Sequence, residues 1–394
     1  MSGRESREIV IVGAGPAGSA AAARLASLGH DVLLMDRAEF PRRKPCGECV
    51  NPAAVAALRS LGAWEAVEAA GPARLEGWRI DGGEGHSFDG AFPAGTHGVA
   101  LPREVLDHLL LRHAVASGAE ARTGVRVLDL LREGGRVAGV RVATEEGERE
   151  IGARLVIGAD GLRSIVVRRL GLLRRPPRLR KLALTAHVRG FGGTDGRGEL
   201  HAGPRGCVGI AAVGRGAANA TVVVYGDEAR EVGGDPAGYF DRALEAYGFA
   251  DVERIDGVLA TGPFDFPVRS AIADGALLVG DAAGYYDPFT GQGIFRALRG
   301  AELAADVAHA ALRAGDASAR ALAPYERERR RAFAPGERVQ HLVEAFVSRP
   351  ALLRAMADRF TRRPALGDAV IRVTGDVRPV RSLLRPAIVA RLLF

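Results

Sequence analysis

The stretch EIVIVGAGPAGSAAAARLASLGHDVLLMDR (Glu8–Arg37) joins an apolar run, a glycine-rich turn, an alanine-rich segment and a second apolar run that ends in an acid. Its periodicity predicts strand, tight turn, helix and strand. Gly13, Gly15 and Gly18 stand in GxGxxG spacing, and Asp36 follows 18 residues after the last of them. Each glycine has a physical reason. The first permits the tight turn, the second lets a pyrophosphate approach the backbone, and the third lets helix and strand pack closely. The helix N-terminus then faces the phosphates, and Asp36 can accept hydrogen bonds from ribose hydroxyls. The stretch therefore predicts a Rossmann-like dinucleotide site.

Outward from this unit the chain alternates between two textures. Leu101–Ala119 reads as an amphipathic helix, TGVRVLDLL and VAGVRVAT as strands around an EGGR hairpin, and LVIGADG as another strand. From about Arg174 to Phe266 the texture is β-rich, with KLALTAHVRG and then CVGIAAVGRGAANATVVV, whose GRGAAN is a turn. ADGALLVGDAAG returns to a buried strand, and IFRALRGAELAADVAHAAL reads as a long helix. The expected class is α/β: a Rossmann-like domain built from discontinuous segments 1–75, 101–173 and 267–324, an inserted β-sheet substrate domain of 76–100 and 174–266, and a basic helical tail of 325–394.

The chain has 394 residues, 47% hydrophobic and 26% charged, enough for a large core and two structural units. Its net charge is +7, but fifteen arginines stand against seven acids between Tyr325 and Phe394, so the main body is neutral. The tail lacks interleaved aromatics of the kind that stack bases, so nucleic-acid binding is not expected. No segment approaches the roughly 18 consecutive apolar residues of a membrane span, and residues 1–8 are polar. The expected location is cytoplasmic. The tail offers an alternative, peripheral contact with a membrane or an acidic partner. Val339, Leu342, Val343, Phe346 and Val347 form a helical stripe, and the end, SLLRPAIVARLLF, is apolar with two arginines.

The loop RKPCGECVNP (Arg43–Pro52) holds one of two lysines and two of three cysteines. No second ligand pair has suitable spacing, so no metal site is expected. Cys46 and Cys49 are expected to be reduced, with Cys49 a small packed residue.

Three stretches, Gly13–Gly18, GADGLRSIVVRRLG (Gly158–Gly171) and VGDAAGYYDPFTGQGIFRAL (Val279–Leu298), fall in an order that resembles the single-component flavoproteins related to para-hydroxybenzoate hydroxylase, a group that includes geranylgeranyl reductases and flavin-dependent halogenases. The resemblance covers about residues 8–312 and implies FAD, with NAD(P)H as reductant. It implies cofactor contacts from Gly13, Gly15, Gly18, Asp36, Arg37, Arg103, Val127, Asp160 and Gly161. In the third motif it implies Gly280, Asp281, Pro288, Gly291 and Gly293, where Asp281 would meet ribityl hydroxyls and the glycines would present backbone N–H groups to reduced flavin. It places Lys44, Cys46, Gly47 and Glu48 beside the flavin ring. No catalytic base is identified, although His187 and His201 alternate with apolar neighbours in the β-rich unit. The halogenase W-x-W-x-I-P motif is absent. The activity expected is hydroxylation of a hydrophobic aromatic or polyketide-like molecule through a flavin C4a-hydroperoxide. The alternatives are reduction of isoprenoid C=C bonds and a non-catalytic flavin-binding module.

Overall fold

The computed structural model of the chain describes residues 5–193 and 195–384. The strand Glu5–Val12 lies at the centre of an eight-stranded sheet, pairing in parallel with Val32–Met35 on one side and Gly147–Gly158 on the other. Ile9, Val10, Ile11 and the Val32–Met35 strand are buried, as expected of parallel strands covered on both faces. The chain leaves the central strand to one side and later returns on the other. The cleft above Val12 and Gly158 is therefore the switch point where α/β sheets bind ligands. The strand Ala276–Leu278 adds to Gly147–Gly158 in parallel. The EGGR turn closes the antiparallel hairpin of Arg126–Glu133 and Arg136–Thr144. Helices Pro16–Ser27, Arg103–Ala116 and Gly293–Arg313 pack together, and small side chains such as Ala20, Ala21, Ala301 and Ala304 are buried in this layer.

A second eight-stranded sheet is assembled from two separated segments. Its path runs through Lys181–Arg189, Ala217–Tyr225, Gly206–Gly214, Arg197–Gly203, Gly77–Asp81 and Ser87–Ala91. The strands Gly77–Asp81 and Ser87–Ala91 thus complete the edge of a sheet whose centre lies about a hundred residues later, while Gly98–Ala100 pairs with Cys49–Val50 and Ala73–Leu75 in a separate small sheet. Period-two alternation gives it two faces. Val208, Ile210 and Val222 point to a core closed by Phe240 and Leu244 of the helix Pro236–Ala246. Cys207, Gly209 and Thr221 line a cavity on the other face.

The tail is a third layer over that cavity. The helix Ala319–Val347 runs through Pro324, where the sequence reading puts a boundary, and through Pro335. Proline in a helix interior removes a hydrogen bond, and burial of Tyr325 and Phe333 offsets that loss here. The Tyr325 hydroxyl donates to the Leu278 carbonyl (2.7 Å), fixing the helix to the first sheet. Helices Pro350–Arg362 and Pro364–Thr374 pack on Ser87–Ala91. The stripe from Val339 to Val347 borders the cavity beneath the helix, with Val339 and Val347 buried and Leu342 54% exposed. Of the apolar C-terminal end, residues 385–394 lie outside the described residues.

Candidate functional site

The three sequence motifs converge on one cavity of about 350 Å³ between the two sheets and the C-terminal helices. The glycine turn behaves as its spacing predicts, and each glycine has a different reason to be there. Gly13 has φ +102°, and a Cβ on it would lie 2.5 Å from the Ala159 carbonyl oxygen. A Cβ on Gly18 would lie 1.8 Å from the Gly13 oxygen, so these two serve close packing. Gly15 faces the cavity, with nothing nearer to a Cβ than the Arg42 guanidinium at 3.7 Å. It is the N-cap of Pro16–Ser27. A backbone open to the cavity at the positive end of a 12-residue helix is a fit for a diphosphate.

Positive charge gathers at the same point. Arg103 is 5% exposed, so it is not a surface arginine, and both its Nε and Nη2 bond to Asp107 at 2.7 Å. Arg42 reaches Asp107 (3.2 Å) and Asp36 (3.7 Å). Lys44 lines the cavity 3.6 Å from where a Cβ on Gly161 would be. Burial, and then Arg103, hold its ammonium below the usual lysine range, while Asp281 and Asp107 oppose them. Arg42 and Asp107 were missed by the sequence reading. Only the i, i+4 spacing of Arg103 and Asp107 could have signalled part of this cluster.

The third motif supplies the other end of the cradle. Gly280, Asp281, Pro288, Gly291 and Gly293 all line the cavity. Gly291 has φ +65°, and a Cβ on Gly291 or Gly293 would meet nothing within 4 Å, so their backbone faces open space at the start of the helix Gly293–Arg313. A Cβ on Gly280 would press to 2.8 Å from that of Ala17, so this glycine lets the first and third motifs touch.

Other expected contacts are placed differently. The Asp36 carboxylate accepts the N–H groups of Ala14 (2.8 Å) and Ala38 (2.9 Å), so it braces the glycine turn. Asp160 accepts from the Ser164 hydroxyl and the Ile165 N–H, both at 2.6 Å. Its carboxylate starts its own helix, while neighbouring Gly161 lines the cavity. Arg37 is exposed, and Val127 is buried in its hairpin strand; neither lines the cavity.

The loop Lys44–Cys49 forms one wall. Glu48 is the hub of this wall, 4% exposed and held at φ +60°. One carboxylate oxygen accepts the Arg103 N–H (2.7 Å) and the other meets His187 Nε2 (2.8 Å). The other His187 nitrogen meets Asp256 (2.7 Å), which also pairs with Arg43 (2.8 Å). The Glu48 hydrogen bond leads the causes that push His187 up to about 9, so its imidazole is held as the cation. Asn219, paired with His187 across the sheet, donates to the Cys46 carbonyl (3.0 Å). His201 is bonded to Glu199 (2.7 Å). Neither histidine lines the cavity: His187 stands on its face behind Glu48, and His201 packs on Phe249 on the opposite face of the sheet. Cys46 and Cys49 are free thiols, and burial pushes Cys49 well above the ordinary thiol range. Lys181 is buried in ion pairs with Asp287 (3.1 Å) and Glu344 (3.0 Å). Among the described residues no group of three or more His, Cys, Asp or Glu side chains is placed to hold a metal ion, and no helix is long and apolar enough to cross a membrane.

The donor set fits FAD. Gly15, Arg42, Lys44 and Arg103 would hold the diphosphate, Asp281 the ribityl chain, and Gly291 and Gly293 the flavin edge. When bound, FAD would supply two-electron redox chemistry.

The sequence matches the family described as "FAD binding domain" over residues 6–337. It is 31% identical over 321 residues to a digeranylgeranylglycerophospholipid reductase of Methanosarcina acetivorans, covering 79% of this chain and 77% of that relative. It is 34% identical over 333 residues to a menaquinone reductase of Mycobacterium tuberculosis, covering 78% of each. Among solved structures, the myxobacterial chondrochloren halogenase superposes with a TM-score of 0.80 at 25% identity, over 87% of this chain and 83% of that one. Motifs, cradle and comparisons agree: the chain belongs to the FAD-dependent oxidoreductases of the para-hydroxybenzoate hydroxylase and geranylgeranyl reductase superfamily.

Proposed function

We propose that the protein reduces carbon–carbon double bonds in a long isoprenoid chain, with reduced nicotinamide nucleotide recharging its flavin. The observation that carries this reading is the shape and chemistry of the cavity. Charged side chains gather at the cradle end, and beyond the Cys46–Cys49 wall the lining is uncharged, with Leu200, Ile80, Phe88, Val343 and Leu353 contributing its apolar surface. Such a lining gains from burying a long apolar chain and offers it little specific polar contact. Hydroxylation of a phenolic ring would be served by a base near the substrate; His201 packs on Phe249 on the opposite face of the sheet, and His187, on the cavity face, is capped by Glu48. The reductase activities named for the two curated relatives support the same choice. The residues' part is to hold the chain against the flavin edge and keep water out; the Glu48–His187 pair fixes the wall that does so.

The test uses FAD-loaded protein reduced by dithionite under argon, mixed with a four-unit isoprenyl substrate. Flavin reoxidation with a product two hydrogens heavier is expected. No reoxidation under argon, followed by incorporation of oxygen-18 from labelled dioxygen into an aromatic substrate, would replace this reading with hydroxylation.

A further inference from the structure

The cavity floor contains a row of residues that crosses six strands at one register. Thr185 pairs with Thr221, Thr221 with Gly209, Gly209 with Leu200, Leu200 with Ile80, and Ile80 with Phe88. All six line the cavity. Five steps at the usual inter-strand spacing of about 4.8 Å make a path of about 24 Å, perpendicular to the strands. One end lies at the flavin-side wall, where the Thr221 hydroxyl donates to Asn219, which itself holds the Cys46 carbonyl. The other end is closed by Phe88, 4% exposed and packed edge-to-face on Phe360 at 4.9 Å.

Gly209 is the one position in this row without a side chain, and the fold does not require a glycine there. Its φ is not positive. A Cβ would meet nothing nearer than the Glu199 oxygen and Leu200 Cδ1, both at 4.0 Å. The other glycines in the described strands of this sheet have packing reasons. A Cβ would lie 2.1 Å from a carbonyl oxygen at Gly77 and Gly206, 2.3 Å from Ile371 at Gly90, 2.6 Å from a neighbour at Gly203 and Gly214, and 2.7 Å from the Trp78 ring at Gly198. Glycine weakens a strand interior, and where no neighbouring backbone explains it, close approach of a ligand does.

We infer that Gly209 is a specificity-determining residue: its missing side chain keeps the slot continuous from the flavin wall to Phe88, so that the protein selects its substrate by chain length. A side chain here would stand between Thr221 and Leu200 and divide the row into a short flavin-side chamber and a separate outer one. The inference rests on the isoprenoid-chain reading of the site, but it is measured by binding and needs no turnover.

The experiment titrates FAD-loaded protein with isoprenyl alcohols of two, three and four units and follows quenching of flavin fluorescence. Wild type is expected to bind the four-unit alcohol at least tenfold more tightly than the two-unit one. Gly209→Val, a β-branched residue suited to a strand, is expected to hold the two-unit alcohol within twofold of wild type and to lose at least tenfold on the four-unit one. Ile80→Trp, farther along the row, is expected to weaken the four-unit alcohol and leave the three-unit alcohol unchanged, which provides a second reading should the first variant fold poorly. An unchanged length preference in both variants, or an equal loss for every length, overturns the ruler and leaves the isoprenoid reading standing. Wild type that binds no alcohol of any length overturns both.

Discussion

At Gly15 a single hydrogen atom separates an open diphosphate seat from a filled one. The residue has φ −73° and ψ −176°, which any amino acid adopts, and a Cβ there points into free cavity. Gly15→Val is therefore expected to leave the fold intact and to occupy the phosphate position. The variant should purify with an unchanged far-ultraviolet circular dichroism spectrum and without flavin absorbance, its FAD affinity reduced at least a hundredfold. A yellow Gly15→Val protein would contradict this assignment. Gly13 and Gly18 differ in kind, since a Cβ at either would strike backbone at 2.5 and 1.8 Å. Substitution there damages the strand–helix junction itself.

At the scale of elements, the loop that follows the second strand is stitched to the substrate sheet by charge. Arg43, Asp256, His187 and Glu48 form a continuous chain of contacts, ending on the first backbone N–H of the helix Arg103–Ala116. The sign of its pH dependence follows from His187. Its imidazole titrates near 6.5 in the unfolded chain and near 9 in the folded one. A raised folded value means the folded state binds the extra proton. The stabilisation is complete below about pH 6.5 and is lost as pH rises through about 9. His187→Gln should lower stability by about 1 kcal/mol at pH 6, the net worth of a charge-assisted hydrogen bond partly screened by solvent. The difference from wild type should vanish by about pH 9.5 in thermal melts followed across that range. A destabilisation that is the same at every pH would mean that packing, and not charge, holds the loop.

Across the whole molecule, the C-terminal helices are latched to the flavin cradle through Asp376. Its carboxylate accepts from Asn51 (2.9 Å), the N-cap of the helix Pro52–Leu61, and from Gln292 (2.7 Å), the N-cap of Gly293–Arg313. Gln340 of the helix Ala319–Val347 donates to the same Gln292 (3.3 Å). Burial pushes the Asp376 carboxyl up to about 7. The raised value again favours the protonated form in the fold, so its contribution is full below about pH 4 and is lost as pH rises through about 7. Asp376→Asn cannot ionise and suits the positive φ of +56°. Wild type is expected to have the higher urea midpoint at pH 5 and the variant the higher one at pH 8.5. Identical pH profiles for the two proteins would show that Asp376 is not the titrating latch.

The sequence alone determined the parts of this protein whose causes are local. A strand, a three-glycine turn and an alanine-rich helix within residues 8–37 mark the dinucleotide seat in the sequence, and Gly18 answers to Gly13 in its own turn, although Gly13 also abuts Ala159 of a distant strand end. The same holds for the hairpin at Gly134–Gly135 and the turn at Arg215–Gly216, which period-two runs bracket. Tertiary structure decided what depends on distant segments meeting. The Glu48–His187 contact spans 139 residues of sequence and the Asn51–Asp376 contact spans 325, and no local pattern encodes either. Glu48, legible only as a flavin-side candidate, is the hub of a charged wall, and Asp160, read from its motif as a cofactor contact, also braces its own helix. The stripe from Val339 to Val347 carries the same periodicity whether it meets a membrane or its own domain; only the structure shows that it borders the cavity, with Val339 and Val347 buried and Leu342 54% exposed. Gly209 was one glycine among fifty-two until six strands set it in a single row.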